Sequence, residues 1–486
     1  MTDTHVRPET AHEDDKVTLP TLTAMVVGSM VGAGVFSLPA RFGRATGVYG
    51  ALVAWLVAGL GMLMLCYVFQ NLAMRKPHLD AGIFAYAKAG FGDYVGFNSA
   101  FGYWASACVG NCFYWVFIMT TLGATFPSLG KGDTILAVAI SSAGVWIFHL
   151  LIARGVKDAA IINRIVTVAK VIPIVLFIIL VAIGFDSSVF RDNLWGGELG
   201  SFSTLMDQVK ATMIVTTFVF LGIEGATVYS RFATKREDVG KATLMGFLGV
   251  LSIFSLVTIV SYGVLPRADL AGARQPSMGT VLESVVGGWG STFINIGVIV
   301  SVLGAYLAWT LMSAEVMFIP AKNDDMPQFL RRENKAGTPI AALIMTSLLV
   351  QLFILVTLTS DDALNFMLDL CTSLSLIPYF LAAAYAFKLT RSGETYDVAT
   401  EGSLRRRQLA VAALASIYTL FLVYTAGGKF LLLSCIIYAP GTVLYVMARR
   451  ENGLLVFKPL ELALCALLAV GGVAGVAGLV TGAITI

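Results

Sequence analysis

Apolar runs of about 20 residues recur along almost the whole of this 486-residue chain, and a helix of that length crosses the hydrocarbon core of a bilayer. Hydrophobic residues make up 57% of the chain and charged residues only 13%, about half of the share in soluble domains. This composition leaves too little polar surface to coat a water-soluble globule. The sequence therefore predicts an all-α integral membrane protein.

The apolar runs predict about 13 transmembrane helices. The predicted spans lie at 18–44, 48–74, 93–125, 134–153, 163–185, 208–232, 242–265, 290–319, 339–358, 363–389, 409–426, 429–448 and 460–483. Residues 1–17 are polar and acidic, so we expect them to form an N-terminal tail without a cleavable signal peptide.

Positively charged residues gather in alternate connections between the spans. Arg75 and Lys76 follow span 2, Lys235 and Arg236 follow span 6, and the triplet 405–407 follows span 10. Lys and Arg are enriched in cytoplasmic loops, so this alternation predicts a cytoplasmic N-terminus. With 13 spans, the C-terminus would then lie outside.

Two of the predicted spans are interrupted by glycine. Span 1 contains Gly28, Gly32 and Gly34, and span 6 contains Gly222 and Gly225. Glycine weakens a helix, and unwound backbone at membrane depth survives only where it lines a cavity or is covered by protein. Two interrupted spans five apart are typical of a 5+5 inverted repeat with substrate bound at the breaks. The alternative is that the glycines only permit close helix packing.

Several classes of function are not supported by the residues. The six cysteines lie in apolar segments and are interpreted as buried hydrophobic residues. The four histidines show no metal-ligand spacing, and no nucleotide-binding or hydrolase motif is visible. A net charge of +3 spread over many loops does not indicate a basic surface that would bind nucleic acid. We therefore expect no enzyme activity, no metal and no cofactor.

Three blocks of sequence resemble the signatures of amino acid–polyamine–organocation transporters. They are VGSMVGAGVFSLP at 27–39, FLGIEGA at 220–226, and AWTL at 308–311 with AKNDDMP at 321–327 and NKAGTP at 334–339. Within that superfamily the chain is most similar to the basic amino acid/polyamine antiporters, in the arginine/ornithine branch. This narrower resemblance depends on LDAGIFAYAKAGFG at 79–92, GFNSA at 96–100 and the thirteenth span.

The resemblance implies a LeuT-type 5+5 inverted repeat with broken helices 1 and 6 in a bacterial inner (cell) membrane. The implied organisation is a first five-helix repeat at 18–185, a second at 208–389, helices 11 and 12 at 409–448 and an additional helix 13 at 460–483.

An amino acid in a cavity of low polarity needs a partner for each of its charges. Amides freed at the first break suit the carboxylate, and carbonyls freed at residues 218–222, including that of Gly222, suit the α-ammonium. The expected residues at the first break are Ser29, Val31, Gly32, Ala33 and Gly34. The family often has a hydroxyl where this chain has Ala33, so one hydrogen bond to substrate is expected to be missing.

The cationic tail of a basic amino acid is expected to meet an aromatic ring and a side-chain carbonyl. Trp309 falls on the family's substrate-stacking tryptophan, and an indole face attracts guanidinium or ammonium. Asn111 matches a polar third-helix residue that the family uses near the tail; a helix–helix hydrogen bond is the alternative. Phe218 falls where the family often places a covering tryptophan, and Phe220 is a competing candidate.

Ionisable groups at membrane depth are costly and usually functional. By resemblance, Glu224 forms an inner gate with Tyr103 and Tyr379, although a protonated, structural Glu224 is an alternative. Asp369 is expected either to face the site as a counter-ion or to pack at a helix end. Thr372 and Ser373 follow it in span 10 and are further candidates for contact with substrate.

Lys170 lies six residues into span 5. Some relatives carry a lysine here whose ammonium takes the place of the sodium ion in sodium-driven members. By that resemblance Lys170 would bridge spans 1 and 8 and remove any need for sodium. The alternative is an interfacial lysine that extends toward the headgroups.

The leading hypothesis is a secondary transporter that exchanges arginine for ornithine by alternating access. A lysine or polyamine (agmatine or putrescine) carrier is the alternative within transport, and an amino-acid sensor with a transporter fold is the alternative from another class. The expected partners are L-arginine, L-ornithine or lysine and the lipid bilayer, with no nucleic acid; a homodimer is an open alternative.

Overall fold

The computed structural model of the chain describes residues 18–77, 79, 82–155, 159–196, 201–224, 236–397 and 400–485. Within these ranges the chain is built of helices, and no β-strand occurs. The first half contains α1 (Leu19–Met30), α2 (Leu38–Ala45), α3 (Val48–Arg75), α4 (Ile83–Phe91), α5 (Asp93–Leu122), α6 (Ile135–Ala153), α7 (Ala159–Ile183), α8 (Ser187–Asp192) and α9 (Phe202–Val219). The second half contains α10 (Arg236–Ser261), α11 (Arg267–Gly272), α12 (Ser277–Val286), α13 (Gly288–Lys322), α14 (Ile340–Val356), α15 (Ala363–Ser392), α16 (Gly402–Glu451) and α17 (Pro459–Val480).

Nine helices within the described ranges are long and apolar enough to cross a membrane, or ten if α1 and the segment Ala33–Ala45 form one bent span. The structure therefore supports a multi-pass membrane protein but does not confirm the predicted count of 13. Two predicted spans, 409–426 and 429–448, fall in the single 50-residue helix α16, which is interrupted only by the non-helical backbone of Gly427. The count is also reduced by α9, where Asp207 and Lys210 accompany several Ser and Thr residues.

The first predicted break is present between α1 and α2. Helix α1 ends at Met30, Val31 takes an extended conformation, and a 3₁₀ turn at Ala33–Ser37 leads into α2. The two parts are bent by 52°. Pro39 stands in the first turn of α2, where its missing N–H costs no hydrogen bond.

The second predicted break follows α9. Helix α9 ends at Val219, and Gly222 has φ = +102°, a conformation that side chains with a Cβ rarely adopt. Gly225, the other glycine of this predicted break, lies outside the described residues. The inverted relation between two five-helix repeats stays a prediction.

Helix α5 is the most enclosed of the long apolar helices, with 89% of its most apolar window buried, whereas only 11% of that window is buried in α17. Helix α17 packs on α16 through glycines: a Cβ at Gly471 would approach Cys435 Sγ to 2.8 Å, and one at Gly475 would approach the Leu432 carbonyl oxygen equally closely. The last helix thus lies at the edge of the bundle, while α5 runs through its centre.

Candidate functional site

A cavity lies where the two helix breaks meet α5, α13 and α15. Its wall at the first break is formed by Ser29, Met30, Gly32, Ala33, Gly34 and Val35, and its wall at the end of α9 by Phe218, Val219 and Leu221. The remaining lining residues are Tyr103, Ser106, Ala107, Gly110 and Tyr114 of α5, Trp309 of α13, and Cys371 and Ser375 of α15. Seven residues predicted for the site therefore lie in one cavity wall: Ser29, Gly32, Ala33, Gly34, Tyr103, Phe218 and Trp309.

The two breaks are in direct contact. Ser29 Oγ donates to the carbonyl oxygen of Gly222 at 3.1 Å and to that of Val26 at 2.8 Å. A Cβ at Gly34 would come within 2.8 Å of the Val219 side chain. Glycine at position 34 is therefore required for the first break to pack against the end of α9.

The first break places the start of a 3₁₀ turn, with its backbone N–H groups, among the cavity-lining residues. Gly32 precedes the 3₁₀ turn and has no side-chain cap, and the turn residues Ala33 and Gly34 are buried. The first N–H groups of a helical turn have no partner within it, and they carry partial positive charge. This arrangement suits a carboxylate. Val31 belongs to the same unwound segment but is not among the lining residues.

The carbonyls at the end of α9 divide into two groups. The carbonyl of Phe218 accepts from Leu221 N, and that of Phe220 accepts from Ile223 N. The carbonyl of Gly222 accepts from Ser29 Oγ. Val219 and Leu221 both line the cavity and supply the other two carbonyls of this segment. Of the five carbonyls predicted to suit an α-ammonium, these two belong to lining residues and are not the acceptors in the three hydrogen bonds above.

The aromatic and amide candidates for the cationic tail lie on neighbouring helices. Trp309 lines the cavity, and the next residue along α13, Thr310, accepts a hydrogen bond from Asn111 Nδ2 at 3.3 Å. Asn111 Oδ1 is buried, and it has no hydrogen-bond partner among the residues that the structure describes. A buried acceptor without a donor is costly, and Gly110, which lines the cavity, is its direct neighbour. This carbonyl is therefore a candidate acceptor beside the cavity wall.

The two phenylalanine candidates have different surroundings. Phe218 lines the cavity and meets Phe113 edge to face, with ring centroids 5.0 Å apart. Phe220 is fully buried among Trp55, Phe247 and Phe254. The structure therefore places Phe218 at the cavity and Phe220 in the helix core.

Glu224 lies beyond the second break and is held by two tyrosines. The hydroxyls of Tyr103 and Tyr379 each donate to one of its carboxylate oxygens. The amide of Gly222 donates to Glu224 Oε2 at 3.2 Å. Glu224 is buried, and Tyr103 also lines the cavity. The three residues predicted to form the inner gate are thus in contact, and their gating role stays a prediction.

Lys170 is buried on α7, and its ammonium donates to the carbonyl oxygen of Gly28 at 2.7 Å. Gly28 is in the last turn of α1, directly before the first break. The structure thus connects Lys170 to the first span rather than to the membrane surface.

Three predicted residues on α15 are not part of the cavity lining. Asp369 forms an ion pair with Arg41 of α2. Thr372 and Ser373 are not lining residues, and their hydroxyls donate back to the carbonyls of Leu368 and Asp369, both at 2.8 Å. The residues that do line the cavity from α15 are Cys371 and Ser375.

Sequence reasoning missed these two residues and also Ser106 and Tyr114 of α5. Ser106 Oγ donates to the Cys371 carbonyl at 2.7 Å and lies 2.5 Å from Ser375 Oγ. A usable signal was present, since positions 103, 106, 107, 110 and 114 repeat at the helical spacing of three to four residues that brings side chains to one face. Tyr103 alone could have identified that face.

Comparison with known proteins is consistent with this arrangement. The sequence model of the amino acid permease family matches residues 17–448. The arginine/ornithine antiporter of Pseudomonas aeruginosa is 46% identical, over 97% of this chain and 98% of its own length. The L-lysine transport protein of Corynebacterium glutamicum is 38% identical over 97% and 96%. The arginine/agmatine antiporter of Chlamydia pneumoniae is 36% identical over 89% and 90%.

Proposed function

The chain belongs to the amino acid permease family, and we propose that it is a secondary transporter which exchanges L-arginine for L-ornithine across a bacterial cell membrane. The observation that carries this proposal is the cavity at the two joined breaks. One wall offers backbone amides at Ala33 and Gly34, another offers the carbonyls of Val219 and Leu221, and a third offers the ring of Trp309. The similarity to an arginine/ornithine antiporter supports the choice of substrate pair.

The cavity provides a partner for each charge of a basic amino acid. The carboxylate meets amide N–H groups at the start of a helical turn, and the α-ammonium meets carbonyl oxygens. The cationic tail stacks on Trp309, and the unpaired Asn111 Oδ1 accepts one of its N–H groups after a small side-chain movement. Arginine and ornithine each carry one net positive charge at neutral pH, so one-for-one exchange moves no net charge.

Access from the inner side is controlled by Glu224 in this proposal. Its contacts with Tyr103 and Tyr379 join the second break to α5 and α15, so the inner path opens only when these hydrogen bonds break. Lys170 holds the first break through Gly28 and supplies the positive charge that a sodium ion would otherwise provide. The N-terminus is cytoplasmic and, with 13 spans, the C-terminus lies outside.

The alternative is transport of lysine or of a polyamine, since relatives of both kinds are similar to this chain. The two alternatives differ at the first break. Lysine carries a carboxylate that would use the amides of Ala33 and Gly34, whereas a polyamine or agmatine has none and would leave them unused.

Counter-flow in proteoliposomes tests the proposal. Vesicles loaded with ornithine should take up labelled arginine far faster than empty vesicles, and a sodium gradient should have little effect. Competition by a panel of lysine, agmatine and putrescine then ranks the substrates. Equal uptake into empty vesicles would refute exchange, and preferred exchange of lysine or agmatine would favour the alternative.

A further inference from the structure

Helix α2 is joined to the beginning of α15 by a guanidinium group of the chain itself. Arg41 donates through Nη1 to Asn365 Oδ1 at 2.9 Å and through Nη2 to Asp369 Oδ1. Asn365 is held in turn, because its Nδ2 donates to Asp362 Oδ2 at 2.6 Å. Positions 365 and 369 are four residues apart and lie on one face of the helix. Asn365 Oδ1 and Asp369 Oδ1 can therefore accept from the two terminal nitrogens of one guanidinium.

This pair lies on the opposite side of the cavity from Glu224. Along α15, Cys371 lines the cavity. Asp369 precedes it by two residues, about 3 Å toward the start of the helix. Tyr379, which binds Glu224, follows it by eight residues, about 12 Å toward the other end. Arg41 in α2 follows the first break, which lines the same cavity. The Arg41–Asp369 pair therefore lies beyond the lining residues, toward the end of the cavity that the charge distribution predicts to face outside.

We propose that Asp369 and Asn365 form an outer binding site for the cationic tail of incoming substrate. When the outer path is closed, the guanidinium of Arg41 occupies this site in place of substrate. The inference rests on the proposed function, because it needs a substrate with a guanidinium or ammonium tail. It adds to that function a second site, outside the central cavity, and a reason why substrate opens the outer path.

The burial of the pair explains why a substrate is needed to separate it. The side chains of Arg41 and Asp369 are only 15% and 22% exposed. Breaking a partly buried ion pair without replacement leaves an uncompensated charge, which is strongly unfavourable. A guanidinium from substrate gives Asn365 and Asp369 the hydrogen bonds that they lose from Arg41, so the Asp369 carboxylate is not left uncompensated.

The same geometry favours guanidinium over ammonium. A guanidinium is planar and reaches two acceptors at once, whereas an ammonium is a compact charge on a flexible stem. Ornithine can neutralise Asp369, but it does not reproduce the forked contact with Asn365 and Asp369 that Arg41 makes. The outer site therefore selects arginine over ornithine on the side from which arginine is taken up.

The test measures KM for arginine from each face of oriented vesicles that contain the full-length protein. Asp369→Asn should raise the outer KM about tenfold, the loss expected for one charge-assisted hydrogen bond, and change the inner KM less than about twofold. Arg41→Gln should lower the outer KM or leave it unchanged, because it removes the competitor and not the site. Arg274→Gln is the matched control and should leave both KM values unchanged, since Arg274 is an exposed arginine in the predicted outer connection before α12 and donates to the carbonyl oxygen of Gly130 at 3.3 Å.

A structural ion pair gives a different pattern, with equal losses from Asp369→Asn and Arg41→Gln on both faces. That pattern would overturn the outer site. An unchanged outer KM in Asp369→Asn would also overturn it, and so would a loss of exchange from both faces in the same variant. Asn365→Ala provides a second measurement: it should reduce the preference for arginine over ornithine at the outer face, and an unchanged preference would also count against the site. Wild-type vesicles that fail to exchange arginine would reject the proposed function and the outer site together, whereas wild-type exchange with the structural pattern rejects only the outer site.

Discussion

The hydroxyl of Ser29 donates a hydrogen bond of 3.1 Å to the carbonyl oxygen of Gly222, and this bond joins two helix breaks that are 193 residues apart in the chain. Each break by itself exposes backbone groups that a membrane interior cannot satisfy. Together they form one cavity wall in which amides and carbonyls lie close to each other. The contact explains how two weak points in separate spans become a single site for an amino acid.

Glu224 should affect the rate of exchange more than the affinity for arginine. Replacing it by Ala removes the acceptor of both Tyr103 and Tyr379, so we expect exchange to slow at least about tenfold while arginine affinity changes less than about threefold. Glu224→Gln keeps one carbonyl acceptor and cannot titrate, so it should retain more transport and lose any pH dependence that this carboxyl causes. Calorimetric binding and exchange rates are compared for each variant.

A buried carboxylate away from the cavity serves as the control for Glu224. Glu461 is buried, and it accepts hydrogen bonds from the backbone amides of Lys458 and Tyr94. Glu461→Gln should leave the ratio of exchange rate to affinity unchanged. If Glu224→Ala abolishes arginine binding itself, Glu224 is a direct ligand and the gating role is wrong.

Trp309 should carry recognition of the cationic tail. Trp309→Leu keeps an apolar side chain in the cavity wall and removes the aromatic face, so we expect arginine to bind about five to thirty times more weakly, the equivalent of roughly 1–2 kcal/mol. Trp146 provides the control, because it lies on α6 outside the cavity lining and bonds to Gln351. Affinity close to that of the wild type in Trp309→Leu would place the tail elsewhere.

Asn111 should contribute an acceptor and not only a helix contact. Asn111→Ala removes both the bond to Thr310 and the unpaired Oδ1, and we expect about a tenfold loss of arginine affinity, the usual effect of losing a hydrogen bond to a charged group. Thr310→Val is the matched control, because it removes the helix contact and the Thr310 bond to the Tyr306 carbonyl but leaves Asn111 Oδ1 in place. Equal losses in the two variants would mean that Asn111 acts through packing alone.

Lys170 should make exchange independent of sodium. Lys170→Met leaves the Gly28 carbonyl without its charged donor, and we expect exchange to fall about tenfold or more because a hydrogen bond from a charged group is lost. The exposed Lys210 of α9 is the control, and Lys210→Met should have little effect. Sodium-stimulated uptake by the wild-type protein would show that Lys170 does not replace the ion.

A charge pair outside the membrane spans should give stability that depends on pH. Arg75 binds Glu401 at 3.0 Å, and this hydrogen bond holds the pKa of the Glu401 carboxyl below its ordinary value. The stabilisation is therefore present above the ordinary carboxylate pKa and is lost as pH falls through the lowered pKa of the folded state. Glu401→Gln should lower Tm by about 2 °C or less at neutral pH, and the difference from wild type should vanish in acid. Glu283→Gln, at an exposed position on α12, is the control, and a difference in Tm that persists in acid would contradict the charge pair.

The sequence by itself determined that this chain spans a membrane and where its helices break. Runs of about 20 apolar residues have no other stable environment, and a glycine group in a span weakens the helix whatever surrounds it. The break before Ala33 and the break at Gly222 are local properties of the backbone, so they could be predicted from the residues nearby. The expectation of Tyr103 and Tyr379 beside Glu224 came from the family resemblance and not from local rules.

Only the tertiary structure decided which side of each span faces the cavity. A soluble helix marks its buried face by a polar opposite face, but a membrane helix such as α15 carries polar residues on more than one side, and its rotation is set by packing against neighbours. For this reason Cys371 and Ser375 line the cavity where Thr372 and Ser373 were candidates, and Phe218 does so where Phe220 was a competing candidate. The pairing of Arg41 with Asp369 spans 328 residues of chain. A local sequence pattern cannot predict this contact, because the packing of α2 against α15 in the folded bundle brings the two residues together.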